Sequence, residues 1–171
     1  MIYILGLIGV LIGVALDQFT KYLAVTHIKE ETIILIDGVL ELRYLENRGA
    51  AFGMMQNQQW FFLIITVITL CIILYTYMRL PRERHFMPLR ICMIALTAGA
   101  IGNMIDRINL QYVVDFIYFK LIDFPIFNVA DIFATCSTIA LVVLFLFFYS
   151  EEDFDLIFSL AIPKRKNKEE Q

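Results

Sequence analysis

Asp115, in Val-Val-Asp-Phe-Ile, and Asp131, in Phe-Asn-Val-Ala-Asp, stand where one apolar run leaves the bilayer and where the next enters it. A carboxylate beside hydrocarbon is costly, and such residues are usually retained for a function. If two of them reach one site, each disturbs the titration of the other, and one keeps a proton at neutral pH. Such a pair can activate water. The ionised member takes a proton from the water, and the neutral member donates a hydrogen bond to the developing oxyanion. Two other readings stand beside this one. Membrane carboxylates also serve proton relays in carriers, and an acid in the first turn of a helix gains from the helix dipole alone, which would account for Asp131.

Other polar residues interrupt the apolar runs. Asp17 and Lys21 are four apart in the first run and share a helix face, which fits an internal ion pair or a brace for a polar site. Asp17 falls about 22 Å along a helix that begins at residue 2, near the far boundary of the membrane. Gly99-Ala100-Ile101-Gly102-Asn103-Met104-Ile105-Asp106-Arg107 joins small residues, which let helices approach closely, to three polar side chains within five positions. Asn103 and Arg107 share a face, with Asp106 one turn from Asn103. Asn128 precedes the last apolar run as a helix cap, with Asp131 in the first turn. Asn47-Arg48-Gly49-Ala50-Ala51-Phe52-Gly53 is loop chemistry, and alone it is equally consistent with an ordinary turn.

The elements that must position these residues follow from composition. Of 171 residues, 60% are hydrophobic and 18% charged, more apolar and less charged than a soluble domain. The excess collects in four blocks, each near the ~20 residues that cross a bilayer as a helix. The expected architecture is an α-helical polytopic membrane protein. Its single domain covers residues 1–150, with helices at about 2–25, 60–78, 89–106 and 131–149, followed by a cytoplasmic tail over 151–171. The first block lacks a basic start and a small-residue cleavage site, so it reads as a retained helix. Residues 32–46 change period around Asp37-Gly38, which predicts a β-hairpin with a type I′ turn, one face wet and the other on something apolar. Arg79, Arg82, Arg84 and Arg90 cluster between the second and third blocks, and Lys164, Arg165, Lys166 and Lys168 lie in the tail. Basic residues mark the cytoplasmic side. Both termini are then inside, and residues 27–59 and 107–130 outside. Asp17, Lys21, Asn47, Arg48, Asn103, Asp106, Arg107, Asp115, Asn128 and Asp131 all map to that outer face, which points to a site. Cys71, Cys92 and Cys136 read as buried, inert thiols, and no His, Cys and carboxylate cluster suggests zinc.

At these residues the chain resembles the lipoprotein signal peptidase (signal peptidase II) family of bacteria. Five blocks carry the likeness, in the family's order and spacing: Asp17-Gln18-x-x-Lys21, Asn47 to Gly53, Gly99-Ala100-x-Gly102-Asn103-x-x-Asp106-Arg107, Val114-Asp115-Phe116, and Phe127-Asn128-x-Ala130-Asp131. The resemblance implies four helices with a small extracytoplasmic β-cradle in the bacterial cytoplasmic membrane. It implies an aspartic endopeptidase that cuts signal peptides from prolipoproteins, just before a cysteine carrying diacylglyceryl. By that resemblance Asp115 and Asp131 are the catalytic pair. Asn47, Asn103, Arg107 and Asn128 line or hold the site, and Asp17, Lys21, Gly99 and Asp106 support it. Globomycin-like inhibitors and membrane lipid are the implied partners besides substrate, with no cofactor, metal or nucleic acid. A proton-coupled carrier is the alternative, but such folds usually show internal repeats and midplane sites, and neither is evident here. A non-catalytic assembly factor using its polar residues only to pack helices is a third class.

Overall fold

The structure is a computed structural model and describes residues 1–49, 55 and 57–161. The described residues form α1 (Ile2–His27), β1 (Ile33–Ile36), β2 (Leu40–Asn47), α2 (Gln59–Arg79), α3 (Met87–Leu110), β3 (Val113–Phe119), α4 (Val129–Phe147) and α5 (Glu151–Ala161), with short 3₁₀ turns at Arg84–Phe86 and Lys120–Ile122. Four of the helices are long and apolar enough to cross a membrane. Their outward aliphatic side chains are largely exposed on the protein surface, as suits helices solvated by lipid. The third helix, α3, is the hub: α1, α2 and α4 all pack on it.

A three-stranded antiparallel sheet in the order β1-β2-β3 caps one end of the bundle. Beneath it Ala24 and Ile28, at the end of α1, pack with Val114 and Phe116 of β3. The turn at Asp37-Gly38 differs from expectation. Only Gly38 has positive φ, +69°, and the Val39 N–H closes the turn on the Ile36 carbonyl at 3.0 Å. The pairing register then slips between Ile34 and Ile36, so a bulge replaces the two positive-φ residues of a type I′ turn. A second slip, between Leu42 and Leu45, breaks the expected alternation of wet and apolar faces. Glu41 is buried and pairs with Lys120 at 2.6 Å, while Leu45 is exposed.

The third strand was not anticipated. It forms because Gln111 adopts a left-handed conformation (φ 65°) that stops α3, and its side-chain amide donates to the carbonyls of Arg107 and Ile108 at 3.1 and 3.4 Å. At the opposite end of the bundle Arg90 is fully buried. Its guanidinium lies 4.8 Å from the Tyr77 ring centroid and donates to the carbonyls of Tyr77 (3.1 Å), Leu80 (2.7 Å) and Pro81 (3.3 Å). Those carbonyls close the end of α2, where helical partners run out. The expected tail begins as α5, which sets Ile157 against Phe86 and Tyr149. Its start is capped reciprocally by Ser150 and Asp153, and His85 Nε2 lies 3.0 Å from Asp153 Oδ2. The basic stretch from Lys164 lies outside the described residues. Of the thiols expected to be buried, only Cys92 is; Cys71 and Cys136 are exposed.

Candidate active site

Lys21 anchors the polar end. Its ammonium has three protons, and each meets an acceptor: Asp17 Oδ2 at 2.9 Å, Asp106 Oδ2 at 3.0 Å and Asn103 Oδ1 at 2.9 Å. Lys21 is 3% exposed and Asp17 0%, so the pair expected within one helix is a buried junction between α1 and α3. The two acids reach further. Asp17 Oδ1 accepts the N–H of Ala130 at the start of α4 (2.8 Å), and Asp106 Oδ2 accepts the N–H of Val114 in β3 (3.1 Å). Gln18 completes the junction by donating to Asp106 Oδ1 at 2.9 Å. Two glycines of α3 let α4 and the Asp17 side chain of α1 come this close. A Cβ on Gly99 would run into the Ala130 carbonyl, and one on Gly102 into the Asp17 carboxylate.

From Lys21 the network runs to the aspartates. Asn103 Oδ1 is occupied by Lys21 and by Asn128 Nδ2 (3.1 Å), which turns the Asn103 amide nitrogen toward Asp131, where it donates to Oδ1 at 2.7 Å. Asn128 caps α4. Its Oδ1 accepts the Asp131 N–H at 2.9 Å, and Asp131 Oδ2 accepts the Asn128 N–H at 3.2 Å, a reciprocal box. The same Asn128 donates from Nδ2 to Asp115 Oδ1 at 2.6 Å, within reach also of the Val114 carbonyl at 3.2 Å. Asp115 Oδ2 accepts from Asn47 Nδ2 at 2.8 Å, and Asn47 is itself oriented by the Gly49 N–H on its Oδ1 at 3.0 Å. One residue, Asn128, thus bridges both carboxylates.

Both aspartates line one cavity of about 760 Å³, together with Asn47, Asn103 and Arg107. Its remaining wall is largely apolar, with Phe124, Ile126, Phe127 and Ile132 among the lining residues. Asp115, on β3, is 1% exposed, and its carboxyl is raised from 3.8 to about 7. Burial is the main cause and the Asp131 carboxylate the second; hydrogen bonds from Asn47 and Asn128 and the charge of Lys21 work the other way.

Arg107 lines the same cavity but is held differently. Its guanidinium lies 5.0 Å from the Phe62 ring centroid, with Nη1 3.4 Å from the Asn103 carbonyl, and Nε has no hydrogen-bond partner among the described residues. Arg48 pairs with Glu46 at 3.0 Å, while its carbonyl accepts from Gln59 Nε2 at 2.8 Å. Ala50 to Gly53 of the loop motif lie outside the described residues. The structure otherwise brings Asp17, Lys21, Asn47, Gly99, Asn103, Asp106, Asp115, Asn128 and Asp131 to one end of the bundle. Gly102, with Gly99, has the close-approach role expected of it. The bond of Gln18 to Asp106 was not expected, and its signal lay in the position of Gln18 beside Asp17. Among the described residues, no group of three or more His, Cys, Asp or Glu is placed to hold a metal ion.

Comparison with known proteins points the same way. The sequence model of the Signal peptidase (SPase) II family matches residues 9–148. A lipoprotein signal peptidase of Streptococcus pyogenes serotype M5 (strain Manfredo) is 40% identical over 151 residues, covering 88% of this chain and 96% of that protein. The enzyme of the same name from serotype M18 is identical to the same extent, 40% over 151 residues. Among solved structures, a bacterial membrane enzyme determined in meso at 2.3 Å resolution aligns with a TM-score of 0.76 and 30% identity, over 97% of this chain and 94% of the other. A second, determined at 1.9 Å, aligns with a TM-score of 0.73 and 32% identity over 84% of this chain and 94% of the other. With family model, relatives and fold in agreement, the chain belongs to the signal peptidase II family.

Proposed function

We propose that this peptidase is an aspartic endopeptidase that removes signal peptides from diacylglyceryl-modified prolipoproteins, cutting before the lipidated cysteine with Asp115 and Asp131 as its catalytic pair. The observation that carries this reading is the bridge: Asn128 bonds both carboxylates, and both face the same cavity. In this mechanism Asp131 is the ionised member. It sits in the first turn of α4, where the helix dipole favours negative charge, and it receives hydrogen bonds from Asn103 and from the Asn128 backbone. Asp115 holds the shared proton, in keeping with its raised titration. Asp131 takes a proton from water as the water attacks the scissile carbonyl, and Asp115 stabilises the oxyanion by its hydrogen bond; the C–N bond then breaks as Asp131 gives that proton to the leaving amine. The two titrate as a pair, so the assignment describes the dominant microstate. Infrared difference spectra showing Asp115 ionised and Asp131 neutral in the free enzyme would overturn it.

The basic residues at the opposite end support an orientation with both termini cytoplasmic and the cavity near the outer face. At that depth the two acyl chains of the substrate can stay in the outer leaflet during cleavage. Globomycin-like cyclic peptides would compete for the same cavity. The decisive experiment gives purified protein in detergent a diacylglyceryl-modified prolipoprotein, beside Asp115→Asn and Asp131→Asn. The expected result is cleavage by wild type and a loss of at least ~10³-fold in each variant. Folded variants that still cut would reject the pair.

A further inference from the structure

A second cavity, of about 330 Å³, opens between α1, α2 and α3 at the end of the bundle away from the carboxylates. It runs from Tyr3 to Val10 on α1 and from Met93 to Ile101 on α3, about 12 Å at 1.5 Å per residue. That is most of one leaflet of a ~30 Å hydrocarbon core. Its walls are aliphatic, with Val10, Leu70 and Leu74 among them, and its polar edge is made by Tyr3 and Tyr77. The hydroxyls of these tyrosines reach the carbonyls of Met78 and Ile2 at 3.3 and 3.4 Å. Charge gathers at that edge. The guanidinium of Arg82 lies 5.4 Å from the ring centroid of Tyr3, a lining residue, whereas that of Arg79 lies 5.1 Å from the Tyr75 ring, outside the slot. Arg82 is exposed. An apolar slot one leaflet deep, with a cation held over its rim, matches a molecule that is aliphatic along its length and anionic at one end.

We propose that this slot binds one acyl chain of an anionic phospholipid, with the lipid phosphate held by Arg82. Basic pockets between spanning helices recognise anionic headgroups in this way. The orientation proposed above enters only in assigning the slot to the cytoplasmic leaflet. The site is separate from the catalytic cavity and shares no lining residue with it.

The test titrates the purified full chain in detergent with phosphatidylglycerol or with phosphatidylcholine of the same acyl chains, read by native mass spectrometry. One phosphatidylglycerol should be retained about five-fold more tightly than phosphatidylcholine, the effect of one arginine near the phosphate. Arg82→Gln should remove most of that preference, and Val10→Trp, which fills the slot, should abolish retention of both lipids. Leu70→Trp fills it from α2 and serves if Val10→Trp does not fold. Equal retention of the two lipids by wild type would overturn the proposal, as would unchanged retention in Arg82→Gln and the filled variants. A dimer that forms at the expense of lipid would overturn it too. Prolipoprotein cleavage, measured on the same samples, separates the two ideas. Lost lipid with intact cleavage leaves the protease reading standing, and bound lipid without cleavage by wild type rejects the protease reading alone.

Discussion

At one end of the bundle Lys21 pairs with Asp17 and Asp106, and Arg107, its guanidinium over Phe62, lines the cavity of Asp115 and Asp131; at the other, buried Arg90 is turned onto the backbone carbonyls that end α2. The arginine end is neutralised by dipoles already present in the helix, so it needs no titrating partner. The carboxylate end has more acid than base, in a place where unpaired charge is expensive. A surplus of buried negative charge is relieved by taking up a proton, and Asp115 is where that proton resides in the mechanism proposed here. Buried charge serves the fold at both ends, and in the proposed mechanism it also makes a reagent at the carboxylate end.

Removing one cation from each end tests this contrast most severely. Lys21→Met strands Asp17 and Asp106 without their shared partner, and the expected loss is ~3–5 kcal/mol of stability. Unfolding in detergent, followed by circular dichroism, measures it, and cleavage should fail with it. Arg90→Met leaves only neutral carbonyls unpartnered, so the loss should be smaller, ~1–3 kcal/mol. Activity per folded molecule should survive in that variant; a dead but folded Arg90→Met would erase the distinction between the ends.

The pH dependence sharpens the comparison. Asp115 titrates near 7 in the fold against an ordinary 3.8, so folding takes up a proton between those values. Stability should therefore fall as pH rises from about 4 to about 7, with the full burden present above that, and kcat/KM should decline along its alkaline side near 7. Asp115→Asn should flatten that part of the stability profile, whereas Arg90→Met should keep its slope. The smallest effect is expected from Asn47→Ala. Asn47 donates to the charged form of Asp115, so its loss should move the alkaline limb to higher pH, with a rate loss of about ten-fold. A limb that moves down instead would contradict the assigned role.

The four spans were legible because their length and composition leave no other solvent for them, and the site because polar residues stand out against hydrocarbon. Asn128 as a cap was legible for the same reason as any helix start: a short polar side chain before an apolar run. What escaped was structure that depends on neighbours. Val113 to Phe119 reads as one more apolar stretch, and only the left-handed Gln111, a residue with no turn signature, separates it from α3. Glu41 is buried against Lys120, a partner 79 residues away that side-chain alternation cannot foresee. Helix α5 is short and opens on Glu151, Glu152 and Asp153, and it is defined by what Phe86 and Tyr149 present to Ile157.

Asn128 has a consequence for anyone engineering this scaffold. Asparagine, aspartate and serine begin helices about equally well, and exchanging them is a routine route to a hardier protein. Here the exchange is closed in both directions. Aspartate would set a fifth acid against Asp115, and serine would be too short to span from the start of α4 to that carboxyl while still closing the helix. Thermal robustness in this molecule must be sought elsewhere, because the knot that ties its last membrane helix is also tied to its chemistry.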